Sequence, residues 1–149
     1  MPKTTKNTNR ENNFSKVLLK YIGTLAVLCL FAQMVVSLRD NEVDAVAMFA
    51  LVPAALYYAY FNIAYRKPLS KVRFGSLVAH CAGFLLVNFS YHAHAFFLLI
   101  DSGQPNKPIL ELSTSWFGVL FAMPFFWGFG LLVHMLASVS RKGFENLEV

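Results

Sequence analysis

The chain contains four long apolar runs, each about as long as a helix must be to cross the hydrocarbon core of a bilayer. The runs cover residues 18–38, 45–65, 74–100 and 116–138. A transmembrane helix needs about 20 predominantly apolar residues, and its backbone polar groups are all bonded within the segment. The sequence therefore predicts an all-α integral membrane protein, built as a four-helix bundle.

Composition supports this class and excludes two others. Of the 149 residues, 56% are hydrophobic and 14% are charged, whereas soluble domains carry roughly 25% charged residues. The 15% aromatic content is too high for a disordered chain.

The longest segment outside the runs is the N-terminal tail, residues 1–17, so we expect no soluble catalytic domain and no enzymatic activity. We also expect no nucleic-acid binding, because the basic residues lack a folded module to display them.

The basic residues fall on one side of the predicted membrane. Eleven of the 13 lie in residues 1–20, 66–73 and 139–149, whereas five of the 8 acidic residues lie in the two intervening loops. The positive-inside rule then makes both termini and the middle loop cytoplasmic. The predicted organisation is a cytoplasmic tail (1–17), a first transmembrane hairpin (18–65), a basic cytoplasmic loop (66–73), a second hairpin (74–138) and a cytoplasmic tail (139–149).

All four histidines lie in the second hairpin, and ionisable residues within a membrane span are candidates for a functional site. His80 follows Arg73 by seven residues, and His134 precedes Arg141 by seven. Both are therefore expected roughly 10 Å inside the same membrane boundary, where antiparallel neighbours bring them face to face. At about 100° per residue, His94 shares the face of His80 on its helix.

Three interpretations of the pair formed by His80 and His134 remain open. The imidazoles can form hydrogen bonds between helices, serve as axial ligands of a haem b, or hold a transition metal or relay a proton. His94 is a further candidate for cofactor binding because it lies on the same face as His80. The sequence does not make any cofactor certain.

Several neighbouring residues are predicted to shape this part of the bundle. Asn88 is expected to form a hydrogen bond between helices, and Trp127 falls on the same helix face as His134. Gly128 and Gly130 remove side-chain bulk where a close helix crossing or a flat cofactor needs room. Pro124 is expected to bend its helix locally and so to orient the residues that follow it.

A specific order of motifs runs through the second hairpin. The basic lead-in KVRF at 71–74 precedes His80 and Val87-Asn88, and Trp116 and Pro124 lead to the octapeptide WGFGLLVH at 127–134. In this order, residues 71–140 resemble the small bacterial two-transmembrane (2TM) domain, which occurs alone and fused to histidine kinases and other regulators. Phe84 stands where that family commonly has tyrosine, so a hydroxyl that would orient His80 is absent.

The resemblance implies that His80, Asn88, Trp127, Gly130 and His134 belong to one unit, and the kinase association implies a sensing or anchoring role. Because the chain carries no output domain of its own, any signal has to pass through a partner. We therefore expect a small non-enzymatic accessory or sensory module of the bacterial inner membrane, surrounded by lipid and bound to a membrane protein or to a second copy. The alternative is a membrane protein that binds haem b or a metal through His80 and His134.

Overall fold

The computed structural model describes residues 4–72, 74–103 and 113–143. Its elements are α1 (Thr4–Leu38), α2 (Ala45–Ala64), α3 (Arg66–Ser70), α4 (Gly75–Ser102), α5 (Thr114–Phe117), a π-helical turn (Gly118–Ala122) and α6 (Met123–Gly143). Four stretches are long and apolar enough to span a membrane: Ser15–Leu38, Ala45–Ala64, Gly75–Ser102 and Thr114–Ser140. The prediction of an all-α protein with four membrane helices is confirmed, and the described residues form no strand.

Some predicted segments differ from the observed elements or lie beyond them. The helix α1 begins at Thr4, so the segment assigned to the N-terminal tail is helical from that residue onward. Of the predicted loops and tails, residues 1–3, Arg73, 104–112 and 144–149 lie outside the described residues.

The helices α1 and α4 form the centre of the bundle, with α2 packed mainly on α1 and α6 packed on α4. Buried side chains recur every three to four residues along each central helix, as expected for one face of an α-helix. In α1 they are Tyr21, Leu25, Cys29, Ala32 and Val36, and in α4 they include Ala79, Gly83, Val87, Tyr91 and Ala95. The small residues among them allow the helix backbones to approach closely, as is common in membrane bundles.

The last span, Thr114–Ser140, is the least enclosed of the four. In its most apolar window only 6% of the residues are buried, compared with 22–28% in the other three spans. Its contacts with the rest of the bundle are made mainly with α4. The position of His134 relative to His80 therefore depends mainly on the packing of α6 on α4.

A π-helical turn interrupts the last span just before Pro124. The N–H of Met123 donates to the carbonyl of Gly118, five residues earlier. Proline has no N–H and its ring crowds the preceding turn, and a π-type turn is one way in which a helix accommodates an extra residue. The sequence predicts a local bend at Pro124, and the structure places the irregularity in the turn that leads into it.

The two ends of the bundle differ in charge. We call the end that carries residues 65–74 the basic end, because Arg66, Lys67 and Lys71 lie there. At the opposite end Asp44 caps α2 by accepting a hydrogen bond of 2.8 Å from the N–H of Ala47, and it pairs with Arg39 at 2.7 Å. The bond from Ala47 and the pairing with Arg39 lower the pKa of Asp44.

Candidate functional site

The structure brings His80 of α4 and His134 of α6 together near the basic end. Their ring centroids are 4.7 Å apart, and the rings meet edge to face at 75°. The sequence places both residues at one depth, and in the structure they lie in direct contact. The pair receives a third member, Tyr58 of α2. We call Tyr58, His80 and His134 the basic-end cluster.

Tyr58 supplies a hydroxyl group beside His80, whereas Phe84 of α4 has none. Its oxygen lies 2.6 Å from Nδ1 of His80, and either group can be the donor, depending on the tautomer of the imidazole. This bond fixes the orientation of the His80 ring and ties α2 to α4. A residue of the first hairpin therefore completes the site, although every candidate site residue predicted from the sequence lies in the second hairpin.

His134 differs from His80 because its Nε2 is buried and has no hydrogen-bond partner among the described residues. A buried polar group without a partner costs about 1–3 kcal/mol. The expectation that the two imidazoles form hydrogen bonds between helices therefore holds for His80, through Tyr58, but not for Nε2 of His134. This nitrogen therefore has an unused capacity for a hydrogen bond.

A cavity of about 130 Å³ lies beside the cluster and is lined by Tyr58, His80, Trp127, Gly130, Leu131 and His134. Pockets for drug-sized ligands begin at about 300 Å³, so this cavity is too small for a haem macrocycle. The contact between the two histidine rings also leaves no space for a porphyrin between them. The arrangement therefore does not fit the haem alternative.

A transition metal has two candidate nitrogen ligands here, one from His80 and one from His134. Structural metal sites in proteins commonly use four ligands, and catalytic sites three. Among the described residues, no group of three or more His, Cys, Asp or Glu side chains lies close enough together to hold a metal ion. The cluster is therefore better described as a small polar site formed by one tyrosine and two histidines.

Aromatic contacts hold the walls of this cavity in place. The ring of Trp127 meets Tyr58 edge to face at 5.3 Å and meets Phe84 at 5.7 Å. A Cβ atom at Gly128 would lie 3.6 Å from Phe84, so this glycine marks a close crossing of α6 with α4. Gly130 has no heavy atom within 4 Å of its ideal Cβ position and opens one side of the cavity.

A second histidine cluster lies at the opposite end, where His94 is bonded to α1. Its Nδ1 lies 2.9 Å from Oε1 of Gln33, and its Nε2 lies 3.1 Å from Oδ1 of Asn41. Trp116 packs its ring against His94 at 5.5 Å and donates Nε1–H to the carbonyl of Asn41. A neutral imidazole has one N–H, so His94 donates to one of these two amide oxygens at a time. Either bond ties α4 to α1 or to the turn after it, which gives this residue a role in joining the helices.

Another cavity, a groove of about 610 Å³ between α1 and α4, lies beside His94 rather than beside the histidine pair. Its lining is mostly apolar, and its polar members are Gln33, Ser90 and His94, which are bonded to one another or to nearby groups, together with Ser37, Asn41 and Asp101. We therefore place the candidate site at the smaller cavity, where a buried polar atom lacks a partner.

Asn88 departs from the prediction of an interhelical hydrogen bond. Its Nδ2 donates to the carbonyl of Phe84 at 2.7 Å, in the same helix. The amide is buried among apolar neighbours, so the carbonyl four residues earlier is the nearest acceptor. Asn62 makes the same kind of bond to Tyr58, and the Oδ1 atoms of both residues are buried without a partner.

Comparison with protein-family models, curated proteins and solved structures finds no match for this chain. The resemblance of residues 71–140 to the 2TM domain therefore stays a prediction, which these comparisons neither support nor contradict.

Gly83 allows Tyr58 to reach His80, because an ideal Cβ at this position would lie 2.5 Å from Cδ2 of the Tyr58 ring. We expect Gly83→Ala to displace that ring, to break its bond to His80 and to lower the free energy of unfolding by about 1–3 kcal/mol, as overpacking does. The measurement is reversible unfolding of the purified protein in detergent micelles.

The matched control is Gly130→Ala, since no heavy atom lies within 4 Å of that Cβ position. This variant is expected to change the free energy of unfolding by no more than about 0.5 kcal/mol. Equal losses in the two variants would contradict the role assigned to Gly83.

Proposed function

We propose that this protein is a small, non-enzymatic accessory or sensory module of the bacterial inner membrane, and that the basic-end cluster receives its input. One observation carries the proposal: Nε2 of His134 is buried without a partner, directly beside a histidine that Tyr58 holds in place. Buried polar groups in folded proteins are nearly always paired, and each exception calls for an explanation. A site that responds to a bound group or to a partner is such an explanation.

The two histidine rings of the basic-end cluster differ in how firmly they are held. His80 is fixed by the hydroxyl of Tyr58, whereas His134 lies on the least enclosed helix of the bundle. A change at His134 therefore acts on a helix that packs mainly on α4, with Trp127 as its contact with Tyr58 of α2. This asymmetry supports a role in transmitting a signal and has no obvious use in a purely structural contact.

The proposed output is a contact between the last span and a membrane partner, either another membrane protein or a second copy of this chain. Large aromatic side chains are exposed along this span, including Phe117, Phe121, Phe125, Phe126 and Phe129. Helix association in membranes depends on side-chain packing, because lipid tails are as apolar as the helices. An exposed aromatic face beside the cluster is therefore a suitable surface for a partner.

The proposed orientation places both termini and the basic end in the cytoplasm, as the distribution of lysine and arginine favours. We expect alkaline phosphatase fused after Val149 to be inactive and a fluorescent protein fused at the same position to fold and fluoresce. Phosphatase activity in the fusion, measured in intact bacterial cells, would contradict this orientation.

Photo-crosslinking tests the proposed function. A photoreactive phenylalanine analogue replaces Phe125, which is 69% exposed on α6. In native membranes we expect it to form an adduct with one membrane protein or with a second copy, and we expect His134→Leu to change the adduct yield several-fold. Gel mobility and mass spectrometry of the adduct identify the partner.

The control places the same analogue at Leu56, which is 65% exposed on α2. At this position we expect adducts with lipid and a yield that does not depend on His134. If position 125 also forms only lipid adducts, or if its protein adduct is unaffected by His134→Leu, the proposed function is wrong.

A further inference from the structure

A second cavity, of about 320 Å³, opens at the basic end between α3, the start of α4 and the end of α6. Its polar lining consists of Arg66, Ser70, Ser76, His134 and Ser138. The cavity lies at the turn between two membrane spans, which is the level of lipid headgroups when the bundle crosses a bilayer. It is more than twice the volume of the cavity beside the histidine pair.

The charged side chains of the described residues around this cavity are all basic. Arg66 lines it, Lys67 and Lys71 lie in the same segment, and residues 65–72, 74–80 and 131–140 contain no Asp or Glu. Arg66 is exposed, and the one ion pair among the described residues joins Arg39 to Asp44 at the other end of the bundle. The guanidinium therefore has no internal counter-charge in the part of the chain that the structure describes.

The neutral groups of the lining complement an anion. The hydroxyl of Ser70 already donates to the carbonyl of Lys67 at 2.9 Å, whereas Ser76 of α4 and Ser138 of α6 contribute hydroxyl groups to the lining. The ring of His134, whose Nε2 is buried and unpaired, also lines this cavity. Arginine with hydroxyl donors is a common way to bind phosphate oxygens, since the guanidinium fork matches their geometry.

We infer that this cavity binds a phosphate group, with Arg66 as its charged ligand and with Ser76 and Ser138 as hydrogen-bond donors. The phosphate belongs either to the headgroup of an anionic lipid or to a soluble phosphate. Basic pockets between membrane helices are suited to lipid headgroups, and the half-buried side chain of Leu77 can pack against an acyl chain. Binding here does not depend on the sensory role proposed above.

The test is native mass spectrometry of the full chain in a nonionic detergent, titrated with phosphatidylglycerol, with diacylglycerol of the same chain length, and with inorganic phosphate. We expect one phosphatidylglycerol to bind per bundle at the highest-affinity site and diacylglycerol to bind much more weakly. Arg66→Gln is expected to weaken the binding of phosphatidylglycerol by about tenfold or more, because it removes a charge-assisted hydrogen bond.

Lys67→Gln is the matched control, since it removes the same charge from the adjacent exposed residue, which does not line the cavity. We expect it to change the affinity less than twofold, and we expect Ser138→Ala to weaken binding by a smaller factor than Arg66→Gln. Equal losses from Arg66→Gln and Lys67→Gln, or binding of diacylglycerol as tight as that of phosphatidylglycerol, would overturn the inference.

The inorganic phosphate arm distinguishes the two sources of the ligand. If phosphate binds the wild-type protein and displaces phosphatidylglycerol, and if Arg66→Gln weakens both, the site recognises the phosphate group and accepts a soluble source. If phosphatidylglycerol binds through Arg66 and phosphate does not compete, the site is specific for the lipid.

Discussion

The hydrogen bond of 2.6 Å between Tyr58 and His80 is the interaction on which the candidate site depends. It joins α2 to α4, and it forms only because Gly83 leaves room for the tyrosine ring. Trp127 of α6 packs against the same ring at 5.3 Å. Three helices therefore meet around one side chain, and the contact between His80 and His134 lies beside this junction.

The rest of the bundle makes this junction sensitive to change. Membrane helices associate without a hydrophobic driving force between them, and the last span is the least buried of the four. At the opposite end, the ring of His94 in α4 forms a hydrogen bond with Gln33 of α1 or with Asn41 in the turn after α1. One end of the bundle is thus closed by paired polar groups, whereas the basic end keeps a buried nitrogen of His134 unpaired.

The sequence predicts the four helices because length and apolar character alone determine whether a segment can span lipid. It also predicts that His80 and His134 lie at one depth, because depth follows from counting residues to the basic flanks. The same counting applied to Tyr58, eight residues before Arg66, would have placed its hydroxyl at that level. The clearance at Gly83, the engagement of His94 by α1 and the bond of Asn88 within its own helix could not be predicted, since each depends on which helices become neighbours.

His80 is paired through Tyr58, whereas His134 retains an unpaired buried nitrogen. The most direct measurement compares the free energies of unfolding of His80→Leu and His134→Leu in the same detergent. Replacing His80 leaves the Tyr58 hydroxyl without its partner and is predicted to cost about 1–3 kcal/mol, whereas replacing His134 removes an unsatisfied group and is predicted to be neutral or stabilising. A loss for His134→Leu as large as that for His80→Leu would contradict the account.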